Sequence, residues 1–301
     1  MANKNKSVKF KKVVQRMNSE SELLRSWEMT GGISATVTGI EVLRSNGEVQ
    51  KLVVRQHGEV DLQGNPLAAV AEYKLLQLLK TARVPVPTPY DYDQTGDILS
   101  SPYVVIEFIE GETVFSPSNI HLYIEQLAAM LVKLHRVDLT SWDLSYLPKQ
   151  DKVLLTLIRK AEANYENLKS ELKTFLSIKS NTNKNVILHG DFWPGNTLWK
   201  DEKLVAVIDW EDAAIGDPLF DVANARLELL WAFDDEAMKK FTTLYQFFMP
   251  TVDFTNLPYW DLFAALRHAR FPEWGLEKSI ESAMREKHQW FIDQAFNTIQ
   301  G

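Results

Sequence analysis

The rhythm of apolar and polar positions changes along this chain. In the first third, β-branched and apolar residues gather in short runs, 33–43 and 52–55, with Ser45-Asn46-Gly47 between them. Asn-Gly supplies the left-handed backbone of a tight hairpin, so the two runs are predicted to pair as antiparallel strands. Residues 67–80 are dense in Ala and Leu, which predicts a helix. Val84-Pro85-Val86-Pro87-Thr88-Pro89 follows. Prolines at alternate positions exclude a helix and set an extended connector. The run 103–106 reads as a buried strand that ends at Glu107-Phe108-Ile109-Glu110-Gly111, a linker between lobes.

Beyond residue 112 the texture turns helical. Ile124, Leu127, Leu131 and Leu134 keep helical spacing, and 153–176 reads as one longer amphipathic helix. A polar loop is expected over 177–185. Two short strands and a tight turn are expected within 186–209, with helices after them. The order predicts an α+β protein with a strand-rich first lobe, a helical second lobe and a small β-hairpin in the second.

Composition narrows the chemistry. The chain has 301 residues, 45% apolar and 24% charged, enough for a core that holds a buried polar site. Acids outnumber bases 40 to 33, for a net charge of −7. That balance speaks against nucleic acid and anionic membrane as partners. Cysteine is absent. Disulfides, thiolate metal sites and a Cys nucleophile are thereby excluded, and a cytoplasmic setting is expected. Residues 1–12 are basic without the apolar run of a signal peptide, and read as a solvated arm. No stretch approaches the roughly 18 apolar residues of a membrane span.

The most informative stretch is Val186-Ile187-Leu188-His189-Gly190-Asp191-Phe192-Trp193-Pro194-Gly195-Asn196. An apolar strand runs into a polar loop, and Asp201-Glu202 then marks a hairpin turn. Pairing across that turn sets Asn196 opposite residue 207 or 208 and brings Asp209 out one position beyond, at the end of the apolar run 204–208. Two carboxylates and an amide oxygen at a strand end form a hard, oxygen-only set, the kind that suits Mg²⁺ on phosphate. Asp and Asn are also ordinary turn residues. Asp209 is the harder one to read so, because it closes five apolar residues where an unpartnered carboxylate is costly. His189, with no second His or Cys at ligand spacing, reads as a hydrogen-bonded structural residue.

His189-Gly190-Asp191, with Asn196 five residues on, resembles the catalytic loop of kinases. Ile208-Asp209-Trp210 stands in the place of Asp-Phe-Gly, and Gly216-Asp217-Pro218-Leu219-Phe220-Asp221 follows. Together these resemble the aminoglycoside phosphotransferase family, relatives of choline and homoserine kinases. The resemblance implies a bilobal protein-kinase-like fold with a nucleotide-binding lobe (1–106), a hinge (107–111) and a catalytic and substrate lobe (112–301). It implies Asp191 as catalytic base, Asn196 and Asp209 as Mg²⁺ ligands, and transfer of the γ-phosphate of ATP to a hydroxyl of a small molecule. GTP stays open as the nucleotide, because the adenine edge would meet backbone groups of Glu107 to Ile109.

The phosphate-binding cation of the family falls at Arg55, where protein kinases carry Lys; Arg can grip phosphate oxygens bidentately. Lys51 and Arg55 share a strand face, so parity alone does not choose between them. Arg55 ends an apolar run, and Lys51 lies toward the turn and solvent. Glu72, a lone acid on the apolar stripe of the predicted helix, is the expected partner of Arg55. Gly31, Gly32 and Ser34 form the candidate phosphate loop; the family has a shorter loop there. Asp217 is expected to cap a helix and Asp221 to sit in its first turn, both as supports of the loop.

In this family the acceptor pocket lies in the C-terminal half. Here that half carries Tyr259, Trp260, Phe263, Arg267, Arg270, Phe271 and Trp274. The set suits a flat or anionic acceptor, although aromatics at helical spacing also describe a core. Asp234, Asp235, Glu236 and Glu273 would instead meet an amine. Two other readings stay open. A metal-dependent phosphohydrolase would want more His and Asp ligands than this cluster offers. A nucleotide-binding regulator would not need Asp191, Asn196 and Asp209 together.

Overall fold

The computed structural model describes residues 2–29, 35–160, 165–178 and 183–301. The chain divides into two compact units, Met1–Gly111 with Val205–Glu211, and Glu112–Leu204 with Asp212–Gly301. The stretch 205–211 thus groups with the first unit rather than with the rest of 112–301.

The first unit is built on a five-stranded antiparallel sheet in the order β1-β2-β3-β5-β4, with β1 Glu22–Glu28, β2 Thr36–Leu43, β3 Val49–Gln56, β4 Pro89–Asp93 and β5 Tyr103–Glu107. The β2–β3 hairpin closes at the expected place, with Leu43 opposite Val49 and Gly47 at φ 85°. β1 carried no sequence expectation. Its burial pattern shows little of the alternation that marks a half-buried strand.

Strand parity gives the sheet two different faces. Ile40, Val42, Leu52, Val54, Tyr103 and Val105 lie on one face and pack with Phe10, Val13 and Val14 of helix α1 (Ala2–Met17). The basic N-terminus is therefore not the solvated arm that its charge suggested. Phe10, Val13 and Val14 recur at three and four positions, form an apolar stripe and cover the sheet. Arg16, in the last turn of this helix, pairs with Asp91 at 3.3 Å and Asp93 at 3.2 Å on β4. On the other face Val53 stands opposite Ile106 and Arg55 opposite Val104. After a short helix α2 (Glu59–Gly64), helix α3 (Ala68–Thr81) buries Leu75, Leu76 and Leu79, and also Glu72. The proline connector leaves α3 in extended form, with Val84 and Val86 buried.

The second unit holds the remaining helices. α4 (Ile120–His135) is capped by Asn119, which accepts from the Leu122 amide at 3.1 Å, and buries all four residues of the predicted stripe. The predicted helix 153–176 is described as two, α5 (Gln150–Lys160) and α6 (Glu166–Ile178), either side of residues 161–164. The polar loop expected over 177–185 starts later, since α6 runs to Ile178. Strand β6 (Val186–Leu188) pairs with β9 (Ala214–Gly216), and β7 (Thr197–Lys200) with β8 (Lys203–Val207). Asp201 and Glu202 turn that hairpin at φ 49° and 59°.

Helix α7 (Leu219–Ala232) is buried on nearly every side, among α8 (Asp235–Phe248), α9 (Leu257–Arg267) and α10 (Lys278–Gln300). A bidentate pair locks it: Arg226 Nε and Nη2 reach the two oxygens of Asp261, each at 2.9 Å. Trp260, Phe263 and Phe271 are buried, so these three members of the predicted acceptor set are core residues. Helical periodicity marks a buried face without telling a packing face from a binding face.

Phe10→Ala tests the place of α1. Loss of a buried aromatic should lower unfolding free energy by about 3–5 kcal/mol in denaturant titration. A value near zero is what a solvated arm would give.

Candidate functional site

The loop after β6 is built backward from its supports. Asp221, in the first turn of α7, is fully buried. One of its oxygens accepts from the His189 amide at 2.7 Å and the other from the Gly190 amide at 2.9 Å. His135 Nε2–H donates to the same carboxylate at 3.1 Å, and the Tyr245 hydroxyl donates to His135 Nδ1 at 2.6 Å. A desolvated carboxylate is tolerated only with such donors, and here they fix the backbone just ahead of Asp191. Asp221 thus supports the loop as expected, but His135 and Tyr245 carry no local sequence signal for this role. Asp217 behaves as a cap, its Oδ1 accepting from the Leu219 amide at 2.9 Å.

Gly190 is required at its position. Its φ is 84°, and a Cβ there would stand 2.1 Å from the Asp212 carbonyl oxygen. The turn then projects Asp191, whose amide donates to His189 Nδ1 at 3.2 Å. His189 is fully buried and acts as a structural acceptor. A 3-10 turn, Pro194–Asn196, returns the chain so that Asn196 Nδ2 donates to the Asp191 carbonyl at 2.9 Å and to Asp191 Oδ2 at 3.0 Å. Both amide protons are spent inside the loop, and Asn196 Oδ1, the harder donor atom, stays outside these bonds.

Arg267, the last residue of α9, completes the surroundings of Asp191. It donates to the Gly190 carbonyl, to Asp191 Oδ1 at 3.3 Å and to Asp212 Oδ2 at 2.7 Å. Burial works against its charge, but the carboxylates of Asp212, Asp191, Asp221 and Glu228 outweigh that and raise its pKa. Glu228 on α7 lies nearby, its side chain 9% exposed and 3.6 Å from His268 Nε2. Burial first, and the Asp191 charge second, push its carboxyl up to about 8, while Arg267 pulls the other way. Burial, with Arg267 and His288, drives His268 well below the ordinary histidine range. It is therefore neutral, and its Nε2–H donates to Asn224 Oδ1 at 2.8 Å.

In the first unit, Arg55 is buried and reaches Glu72 Oε2 at 2.9 Å, so the expected pair forms. The same guanidinium also reaches Asp209 Oδ1 at 2.9 Å and the Glu211 carboxylate, which the sequence reading did not include. β8 ends at Val207, one residue before the end of the predicted run, and Asp209 adopts the left-handed region at φ 66°. A non-glycine residue there is strained and uncommon. Lys51 stays half-exposed and pairs with Glu110 at 2.7 Å. The Glu107 amide donates to the Thr88 carbonyl at 2.8 Å, and its carboxylate accepts from the Thr88 amide and hydroxyl. Those groups of Glu107 are therefore internally engaged. Gly31, Gly32 and Ser34 lie outside the described residues.

Of the remaining acceptor-half residues, Arg270 is exposed and pairs with Glu273, Asp234 caps α8 by accepting from the Ala237 amide, and Asp235 pairs with Lys239. Among the described residues, no group of three or more His, Cys, Asp or Glu side chains is placed to hold a metal ion, and no helix is long and apolar enough to cross a membrane.

The sequence profile of the phosphotransferase enzyme family matches residues 36–253. Among curated proteins, mouse acyl-CoA dehydrogenase family member 10 is 27% identical over 195 residues, 59% of this chain and 18% of that protein. Human acyl-CoA dehydrogenase family member 11 is 25% identical over 178 residues, 53% of this chain and 23% of that protein. The chain therefore spans less than a quarter of either relative. Among solved structures, aminoglycoside phosphotransferase APH(4)-Ia with AMP-PNP and hygromycin B superposes with a TM-score of 0.63 at 14% identity over 97% of both chains. A GDP and kanamycin complex of an APH(2") enzyme gives 0.64 at 18% identity over 96% of this chain and 98% of that one. Macrolide 2'-phosphotransferase type I gives 0.63 at 18% identity over 93% and 96%. These likenesses establish the fold as that of the aminoglycoside phosphotransferases.

The Glu228 carboxyl supplies a test in pH. Its folded value of about 8 lies above the ordinary 4.5, so the folded state holds a proton that the unfolded chain has released. Its contribution to stability is therefore full below 4.5, falls as pH rises through the window and is gone above 8, an effect on the order of 5 kcal/mol. Glu228→Gln should remove that slope from the pH dependence of the unfolding midpoint. An unchanged slope would mean the burial penalty is carried elsewhere.

Proposed function

The chain belongs to the phosphotransferase enzyme family, and from that premise we propose that it transfers the γ-phosphate of a nucleotide, with Mg²⁺, to a hydroxyl group of a small molecule. The observation that carries this reading is the fixed carboxylate of Asp191, held through Oδ2 by Asn196 on a loop whose backbone hangs from buried Asp221.

Phosphoryl transfer asks little covalent chemistry of a protein. It asks for an in-line hydroxyl, a carboxylate that accepts its proton late, and positive charge on the phosphate oxygens. Asp191 is the proposed base: it projects from a glycine turn and is partly exposed, so an acceptor hydroxyl can hydrogen-bond to it. Asn196, through Oδ1, and Asp209, through its carboxylate, are the proposed Mg²⁺ ligands. Both are hard oxygen donors, and a phosphate-bridged ion needs few protein ligands beyond such a pair. When bound, Mg²⁺ would neutralise charge on the transferring phosphate.

Arg55 is the proposed phosphate cation, anchored by Glu72 from the apolar side of α3. Backbone groups between Glu107 and Ile109 are proposed to meet the base. ATP is the nucleotide proposed first, with GTP as the second arm of the test. The acceptor is proposed as a hydroxylated small molecule, and the compounds in the neighbours' complexes open the panel.

Mg-ATP and Mg-GTP should each be incubated with hygromycin B, kanamycin and hydroxylated metabolites, reading nucleoside diphosphate and phosphorylated product by mass spectrometry. Diphosphate release that depends on an acceptor, with product mass raised by one phosphate, is the expected result. Release equal with and without every acceptor would instead indicate a hydrolase, and no release a regulator.

Asp191→Asn should reduce single-turnover transfer by about 100-fold or more, the usual loss with a general base, and leave nucleotide affinity nearly unchanged. For the nucleotide grip, Arg55→Ala should weaken Mg-nucleotide binding by about 1.5–3 kcal/mol in calorimetry, the range for a charge-assisted contact. Lys51→Ala should change it by less than about 0.5 kcal/mol. A double-mutant cycle between Arg55 and Glu72 should show coupling above about 0.5 kcal/mol. Damage from Lys51→Ala with an additive cycle would move the grip to Lys51.

A further inference from the structure

Arg267 does two different things to one turn of chain. One arm of its guanidinium, Nη1, holds the Gly190 carbonyl, and the other, Nη2, holds Asp191 Oδ1 at 3.3 Å. The backbone that aims Asp191 and the carboxylate itself are therefore gripped by a single planar fork. Nη2 also donates to Asp212 Oδ2 at 2.7 Å. Asp212 is half-exposed and tethers the guanidinium from the solvent side. The shorter bond goes to Asp212, so Arg267 orients Asp191 without taking over its lone pairs.

The Asp191 carboxylate turns about two single bonds. Asn196 restrains one oxygen, Oδ2, at 3.0 Å, and a single restraint leaves the carboxylate plane free to tilt about that contact. A second contact on Oδ1, from a different element, removes the tilt. A partly exposed ion pair of this kind adds little to stability. Its geometry, by contrast, bears directly on reaction, since a misplacement of about 1 Å at a reacting group can cost about 100-fold.

We propose that Arg267 is a positioning residue of the transfer reaction, fixing the Gly190–Asp191 turn and the plane of the Asp191 carboxylate from the end of α9. The inference rests on the reading of Asp191 as the base. Lysine would serve in part only: an ammonium is a point donor that reaches one of the two loop groups with good geometry, where the guanidinium spans both.

The test uses the full chain in excess over Mg-ATP labelled in its γ-phosphate, with water as the acceptor, and reads labelled phosphate release in wild type, Asp191→Asn, Arg267→Gln and Arg267→Lys. Mg-ATP affinity and the thermal midpoint are measured alongside. Arg267→Gln should release phosphate about 30-fold more slowly at nearly unchanged Mg-ATP affinity, and Arg267→Lys should fall between it and wild type. Arg267→Gln within about threefold of wild type, while Asp191→Asn is inactive, overturns the positioning role and leaves the base standing. A wild type no faster than Asp191→Asn removes the base, and the role of Arg267 with it. Should Arg267→Gln fail to fold, Arg267→Lys decides: a folded variant at the wild-type rate shows that charge alone suffices and overturns the fork.

Discussion

The loop that carries Asp191 depends on one buried anion. Asp221 is enclosed by protein on α7, where an unsatisfied carboxylate would cost several kcal/mol. Its oxygens are met by two consecutive backbone amides and an imidazole. The same bonds that make its burial tolerable also dictate where His189 and Gly190 must lie. The loop's conformation is therefore a condition of the stability of the helical unit and not an independent feature. Because Tyr245 on α8 orients His135 on α4, three helices take part in placing two backbone amides.

Charge is arranged differently in the two units. In the first, a single buried guanidinium faces three carboxylates, Glu72, Asp209 and Glu211. Glu72 is enclosed, whereas Asp209 and Glu211 keep access to solvent, so the anchor of Arg55 is the acid least able to leave it. In the second, Arg267 answers Asp191 and Asp212, buried Asp221 is met by amides and an imidazole, and Glu228 is driven toward its neutral form by burial. Both patterns follow from one rule: a buried charge is paired, hydrogen-bonded or discharged.

Family membership and fold are supported over most of the chain, whereas the curated relatives are far longer proteins of which the matched stretch is a minor part. Low identity to the solved phosphotransferases carries the fold and not the acceptor. The acceptor has therefore to be sought from the residues around Asp191. Of the residues singled out for it in the C-terminal half, Arg267 is held at the loop, while Trp260, Phe263 and Phe271 are packed into the core.

Local chemistry is what the sequence determined by itself. Asn46-Gly47 sets a hairpin, alternate prolines exclude a helix, and the spacing of His189, Gly190, Asp191 and Asn196 resembles a catalytic loop, because each of these acts over a few residues. The Arg55–Glu72 pair was also legible, since a charge at the end of an apolar strand and a lone acid on an apolar helix each need a partner. Tertiary structure alone decided the rest. The N-terminal segment reads as basic by composition, yet Phe10, Val13 and Val14 give it a face that only a sheet could reveal as buried. Asp209 leaves its strand in the left-handed region, which no run of apolar residues announces. Arg267 reaches the loop from 77 residues away in sequence, and His135 and Tyr245, on two other helices, act on it through Asp221. Nothing in their own neighbourhoods specifies a partner, because hydrogen bonds between distant elements are chosen by packing, and packing is a property of the whole core.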